Sequence, residues 1–185
     1  MTTLALLAGG KSTRMGRDKA LLPIAGGTLL MHLAEVGLAA GLQVVVCGRV
    51  APAAWPLPAV RFLRDAQPDE GPLRGLEAAL ALGDEVLLMA SDLPCVTMTD
   101  IAWLMAQPAA EHGVATRSEG QLQPLFSRYT AACRPLVAAE LAAGRRSPLA
   151  VLRAGRFTQV EVPAVMAARL ADVDTPGDWQ RLISP

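Results

Sequence analysis

Apolar residues along this chain fall into short runs separated by glycine, proline and charge, and their spacing predicts alternating strands and helices. Residues 4–7, 43–47 and 85–90 are nearly continuous aliphatic stretches, the pattern of parallel strands buried on both faces. A weaker strand is expected over 60–64, ending at Asp65. Between these runs, Thr28 can cap a helix to about residue 40 that Gly41 ends, and Gly71 opens another that continues to about 82. Thr97 or Thr99 caps a third helix, to about 106. This rhythm implies βαβ units with right-handed crossovers. Residues 20–24 read as a brief extended segment before a glycine turn, and 50–58, with three prolines, as an irregular loop.

The second half is less regular. Residues 113–116 and 122–126 are expected to pair around the polar turn Arg117-Ser118-Glu119-Gly120. Helices over 131–143 and 148–154, a strand over 158–162 and a terminal helix over 176–182 complete the reading. The fold class is therefore α/β, a three-layer α/β/α arrangement with a mostly parallel, Rossmann-like sheet. No linker divides the chain, so 1–185 reads as one domain, with a nucleotide half over 1–106 and an acceptor half over 107–185.

Parallel sheets of this kind bind ligands beyond the carboxyl ends of their strands. Gly9-Gly10, Cys47, Asp65 and Asp92 all fall on that rim. The first turn carries the most chemistry. Two adjacent glycines let the backbone turn sharply and approach a ligand. Lys11, Arg14, Arg17 and Lys19 then follow within nine residues, against the single anion Asp18. Backbone N–H groups in such a turn make an anion-binding concavity, and fixed cations around it suit a polyphosphate. Ala5 stands where a Walker A loop needs glycine, and no G-x-G-x-x-G spacing occurs.

Asp92 follows a wholly apolar strand, where a carboxylate suits Mg²⁺, which takes oxygen ligands together with substrate phosphates. An Asx-turn beside Pro94 is the alternative reading. Zero formal charge argues against a nucleic-acid surface or a polybasic membrane contact. No apolar stretch is long enough to span a bilayer, and no basic segment precedes an apolar one at the N-terminus. Cys47, Cys95 and Cys133 are widely spaced and read as reduced thiols, so a cytoplasmic location is expected. His32 and His112 stand apart from one another and from any cysteine pair, so a zinc site is not expected.

The pattern L-A-G-G-x-S-x-R-M-G-x-D-K, running from Leu7 to Lys19, resembles the opening of nucleotidyltransferases that activate small phosphorylated compounds. More narrowly it is similar to the molybdenum cofactor guanylyltransferases. That resemblance implies transfer of GMP from GTP to the phosphate of molybdopterin, with loss of pyrophosphate and Mg²⁺ as cofactor. It implies nucleotide contacts at Leu7, Ala8, Gly9, Gly10, Lys11, Arg14 and Lys19, with Asp65 on the nucleoside. Gly71, Pro72 and Leu73 resemble the segment beside the purine. Asp92, in Ser91-Asp92-Leu93-Pro94, matches the metal aspartate, and Asp92 and Lys19 become the catalytic candidates. Asp172 and Asp174, in the D-x-D-T-P segment, fall on the acceptor side with Gln123, Arg145 and Arg146; Asp174 is a candidate second metal ligand, and helix capping explains its segment equally well. Relatives commonly carry asparagine where this chain has Cys47, which weakens a base or ribose contact there.

Three alternatives stay open. A cytidylyltransferase on the same acceptor usually has A-A-G where this chain has Ala8-Gly9-Gly10. Sugar-phosphate nucleotidyltransferases normally show G-G-x-G-T-R-L, which Ser12 and Met15 break. An accessory protein that binds nucleotide and cofactor without chemistry would not need Asp92 and Lys19. Expected partners are GTP, molybdopterin and the molybdoenzyme apoproteins or their chaperones, the chain itself acting as a monomer.

Overall fold

Leu4, Ala5 and Leu6 are completely buried because strand β1 (Thr2–Leu7) lies between β4 (Gln43–Cys47) and β6 (Glu85–Ala90), parallel to both. The structure, a computed structural model, describes residues 2–9, 18–24, 26–64 and 71–171, together with Gly177 and Trp179. β5 (Arg61–Leu63) continues the parallel run beyond β4. On the other side, β9 (Phe126–Thr130) lies antiparallel between β6 and β7 (Gly113–Ser118), and β10 (Thr158–Glu161) adds parallel to β7. The order across the sheet is β10-β7-β9-β6-β1-β4-β5. A short hairpin, β2 (Pro23–Ile24) with β3 (Gly27–Thr28), stands apart from it.

Period-two geometry divides the strand residues between two apolar layers. Leu4, Leu6, Val44, Val46, Leu87 and Met89 face α1 (Leu29–Ala39) and α3 (Met98–Ala106). Ala5, Val45, Cys47, Val86 and Leu88 face α2 (Pro72–Leu80), α4 (Arg134–Ala142) and α5 (Pro148–Ala154). The expected three-layer α/β architecture is thus the one that forms. Thr28 caps α1 by accepting from the Met31 N–H, and Thr97 caps α3 in a reciprocal box with Asp100.

One pairing differs from the expectation. β7 pairs over two residues with β8 (Gln121–Leu122) and over two more with β9, residues 126–130 rather than 122–126, whose longer antiparallel pairing is with β6. Pro124 has no N–H to give a ladder, and the chain turns there, with the Phe126 N–H bonded to the Gln123 carbonyl at 3.1 Å. The helix expected over 131–143 begins as a 3-10 turn (Ala131–Cys133) before α4. After β10 the chain forms an unforeseen α6 (Ala164–Ala167) and a 3-10 turn (Ala168–Leu170), with Met166 packed into the first layer. The helix expected over 176–182 lies outside the described residues except at Gly177 and Trp179, which are helical.

β9 carries a buried cation. Arg128 is 5% exposed, donates to the carbonyls of Met105 and Gln107 at 2.6 Å each, and lies 3.3 Å from Glu85. It ties the carboxyl end of α3 to the sheet. Arg128→Met should leave two carbonyls without their donor and Glu85 with the Thr2 hydroxyl but no cation, costing roughly 2–4 kcal/mol. Urea unfolding checks this: the midpoint should fall with the slope unchanged.

Candidate active site

The rim is set by hydrogen bonds that carry the ladder one step past the strand ends. The Ala8 N–H donates to Cys47 at 2.9 Å, Gly48 to Leu63 at 2.9 Å, and Ser91 to Leu7 at 3.2 Å. The chain runs from β1 outward to β4 and β5, then returns to β6 on the opposite side of β1. The loops after β1 and β6 both lead to the layer of α1 and α3, and the loop after β5 leads to α2 on the other face, so the carboxyl ends of β1 and β6 lie side by side at the rim where such sheets bind ligands.

Lys19 opens a 3-10 turn (Lys19–Leu21) whose first N–H groups are capped by Asp18, with the Ala20 N–H donating to Asp18 Oδ1 at 3.1 Å. Lys19 Nζ lies 3.5 Å from Asp92 Oδ2, with the two side chains 15% and 26% exposed. Their attraction is about 4–5 kcal/mol at an effective dielectric near 20, and desolvating both groups offsets much of it. Stability alone does not account for the pair. Residues far apart in sequence meet here because their strands end side by side at the rim.

The loop after β5 leads into α2. Gly71 has φ +81°, and a Cβ on it would lie 2.8 Å from Arg146 Cβ and 3.1 Å from the Arg146 carbonyl oxygen. The Leu73 N–H donates to that carbonyl at 3.0 Å. The structure thus brings Gly71, Pro72 and Leu73 beside Arg146. One turn on, a Cβ at Gly75 would meet Leu7 Cδ2 at 2.3 Å and Cys47 Cβ at 3.3 Å. Glycine inside a helix costs about 1 kcal/mol against alanine, and here the close approach of α2 to the strand ends demands it. Cys47 is 2% exposed and its thiol faces the Gly75 carbonyl at 3.6 Å, so its side chain is turned under α2.

Gln123 lies in the turn before β9, and the Ala90 N–H donates to Leu125 at 3.2 Å, which places that turn against the strand end bearing Asp92. Arg145 is turned to Glu140, donating from Nη2 at 2.8 Å and from Nε, and its guanidinium holds the Glu140 carboxyl below the usual range. Leu7, Ala8 and Gly9 stand at the end of β1, with Gly9 exposed. Gly10, Lys11, Arg14, Asp65, Asp172 and Asp174 lie outside the described residues. Among the described residues no group of three or more His, Cys, Asp or Glu side chains could hold a metal. A lone carboxylate still fits a hard divalent ion that takes most of its oxygens from phosphates and water. Cys133, enclosed and pushed up to about 12 by burial, and His112, whose Nδ1 accepts from the Arg156 N–H at 3.0 Å, are structural.

Sequence reasoning did not foresee the tie between Asp100 and Arg169. Asp100 is fully buried, accepts from the Thr97 N–H at 2.9 Å and hydroxyl at 2.8 Å, and takes a two-point contact from the Arg169 guanidinium. Thr97 ends the loop that begins at Asp92, and Arg169 precedes the Asp172–Asp174 segment. The signal was present in Thr97-Met98-Thr99-Asp100, which has the spacing of a capping box.

The model of the MobA-like NTP transferase domain matches residues 4–160. The molybdenum cofactor guanylyltransferase of Xanthomonas euvesicatoria is 34% identical over 187 residues, covering 98% of this chain and 94% of its own. Molybdopterin-guanine dinucleotide biosynthesis protein A from Archaeoglobus fulgidus has a similar fold, with a TM-score of 0.76, 21% identity, and 98% and 96% of the two chains covered. A Mycobacterium tuberculosis protein solved as a complex with manganese is similar at a TM-score of 0.67 and 22% identity, over 98% and 97% of the chains.

The Asp100 tie generates an acid response. Burial by itself would raise this carboxyl, but the hydrogen bonds from Arg169 and Thr97 and the Arg169 charge together hold it below the ordinary value. A depressed native pKa contributes stability above the unfolded value, near 3.9, that is lost as pH falls through the native one. Urea midpoints measured from pH 6 downward should show Asp100→Asn less stable than the parent at neutral pH. The difference should begin to shrink as the pH falls below about 4 and vanish only below the depressed native value.

Proposed function

This chain belongs to the MobA-like NTP transferase family and is a nucleotidyltransferase, and we propose that its reaction is transfer of GMP from GTP to the phosphate of molybdopterin. One oxygen of that phosphate attacks the α-phosphorus, the α–β bridging bond breaks, and pyrophosphate carries away the electron pair. The observation that carries this reading is the meeting of Lys19 and Asp92 at 3.5 Å across the end of β1. The attacking oxygen is already anionic, so no strong base is required. The work left for the protein is positioning and charge neutralisation.

In this reading Leu7, Ala8, Gly9 and Gly10 bring backbone against the nucleotide, and Lys11 and Arg14 add charge along the phosphates. Lys19 is a compact point charge that neutralises the developing negative charge on the α-phosphoryl oxygens. Asp92, with Asp174 as a proposed second ligand, holds Mg²⁺, which polarises the phosphoryl group when bound. Manganese in the M. tuberculosis relative supports a divalent ion in the family. Asp65 and Gly71, Pro72 and Leu73 border the nucleoside. Gln123, Arg146, Asp172 and Asp174 are the proposed acceptor contacts, and Arg145 would join them only by leaving Glu140. The proximity of Arg146 to Gly71 supports an acceptor phosphate delivered near the nucleotide.

A cytidylyl reaction on the same acceptor is the reading to test against this one, and Gly9 separates them. Pyrophosphate release with GTP, CTP and ATP, each with and without molybdopterin, should show turnover with GTP plus molybdopterin. Equal use of CTP removes the guanylyl assignment. Gly9→Ala should lower kcat/KM for GTP by roughly 10- to 200-fold, the worth of a small steric change in a base pocket, and affect CTP less. Asp92→Asn should lower turnover by about two to three orders of magnitude, because asparagine lacks the charge that holds the ion. Parental turnover by that variant in limiting Mg²⁺ would rule out the metal role.

A further inference from the structure

Arg49 follows β4 by two residues, and its side chain is only 16% exposed. Its Nη1 lies 3.0 Å from Asp18 Oδ2, an ion pair without hydrogen-bond alignment. Nε and Nη1 are buried and have no hydrogen-bond acceptor among the described residues. A guanidinium enclosed with its donors this poorly matched is costly, and exchanging it for an apolar side chain of similar size is commonly neutral or stabilising. Folding stability therefore does not explain its presence.

What Arg49 touches is the cap of the turn that carries Lys19. Asp18 uses Oδ1 to accept the Ala20 N–H and presents Oδ2 to Arg49, so one carboxylate fixes the turn and anchors it to the end of β4. On the other side, Lys19 reaches Asp92 beyond β6. The sequence Arg49, Asp18, Lys19, Asp92 thus crosses three neighbouring strand ends, β4, β1 and β6, in one line of contacts. We propose that Arg49 is a positioning residue for nucleotidyl transfer, acting through Asp18 to set the Lys19 ammonium beside Asp92. Its guanidinium is largely enclosed, and in this proposal it acts through Asp18 rather than by touching substrate. The kinetic part of its test rests on the nucleotidyl-transfer reading.

Lys11 and Lys19 are the only lysines in the chain, which makes the test direct. Reductive ¹³C-methylation gives each a dimethylammonium resonance that keeps its charge, and Lys11→Arg assigns them. In Arg49→Met, the Lys19 resonance should move toward the value of free dimethyl-lysine. kcat/KM for GTP should fall by about 10- to 100-fold, the effect of a misplacement near 1 Å, with the melting temperature unchanged or raised. Asp18, 46% exposed, is hydrated once Arg49 is gone.

Asp18→Asn keeps a capping oxygen but loses the charge. It should shift the same resonance and lower kcat/KM to a similar degree, while also losing stability, since it strands a buried cation. The double variant should be no slower than the slower single one. An unmoved Lys19 resonance in both variants, kinetic losses that multiply in the double variant, or an Arg49→Met protein that loses stability with intact kinetics overturns the proposal. If Arg49→Met does not fold, Asp18→Asn decides by the resonance and the rate. A parent that turns over no nucleotide overturns the reaction assigned above and leaves the resonance test standing.

Discussion

Strand β1 has no face left for water. β4 and β6 occupy its two edges, α1 closes one side and α2 the other. Both helices meet it through glycine. A Cβ at Gly37 would lie 2.4 Å from Leu4 Cδ2, and one at Gly75 would lie 2.3 Å from Leu7 Cδ2. Helix backbones can approach a sheet this closely only where a side chain is missing. The result is a strand fixed on four sides whose carboxyl end lies at the rim. Everything attributed to the site hangs from that end, because the ladder bonds at Ala8, Gly48 and Ser91 carry its register into the loops. A shift of β1 by one residue would exchange its two apolar faces and move the rim with it.

The antiparallel β9 gives the second half a different relation to the rim. A parallel strand in that place would deliver a new loop at the carboxyl end of β6. β9 instead begins there, so the turn at Gln123 to Leu125 comes up against Ala90, and side chains of β9 hold two of its carbonyls. The Ser127 hydroxyl donates to the Gln123 carbonyl at 2.7 Å, and the Tyr129 hydroxyl to the Pro124 carbonyl at 2.8 Å. This turn is rigid for a reason that sequence periodicity does not carry. It makes a fixed wall beside the strand end that bears Asp92, on the side of β6 away from β1.

What was legible in the sequence follows from the same physics. Parallel strands buried on both faces must be apolar throughout, so β1, β4 and β6 stood out as runs, and the residues just beyond them identified the rim. β9 did not stand out, because Ser127 and Arg128 are polar and yet buried, Ser127 held by the Gln123 carbonyl of the preceding turn and Arg128 by the distant carbonyls of Met105 and Gln107. The alternating segment before it drew the strand assignment instead. Lys19 and Asp92 were read from motifs, and only the fold shows that they meet. Arg49 and Arg169 were passed over because an arginine in a loop carries no periodic signal; what they do depends on carboxylates 31 and 69 positions away in the chain.

Lysine and arginine divide the cationic work. Of 17 lysines and arginines, the two lysines both lie in the turn after β1. Two arginines elsewhere use the planar fork to take several acceptors at once. Arg128 closes the carboxyl end of α3, and Arg134 donates to Leu80 at 2.8 Å and to Gly83 at 3.1 Å at the end of α2. Both positions also suit the negative end of a helix dipole. Such contacts need geometry that survives thermal motion, which a guanidinium supplies. In the proposed reaction a migrating phosphoryl group needs the opposite, a small charge on a flexible stem that can follow the oxygens as they move. On that proposal the fork suits Arg49, set behind Asp18, and the ammonium suits Lys19, in front of it.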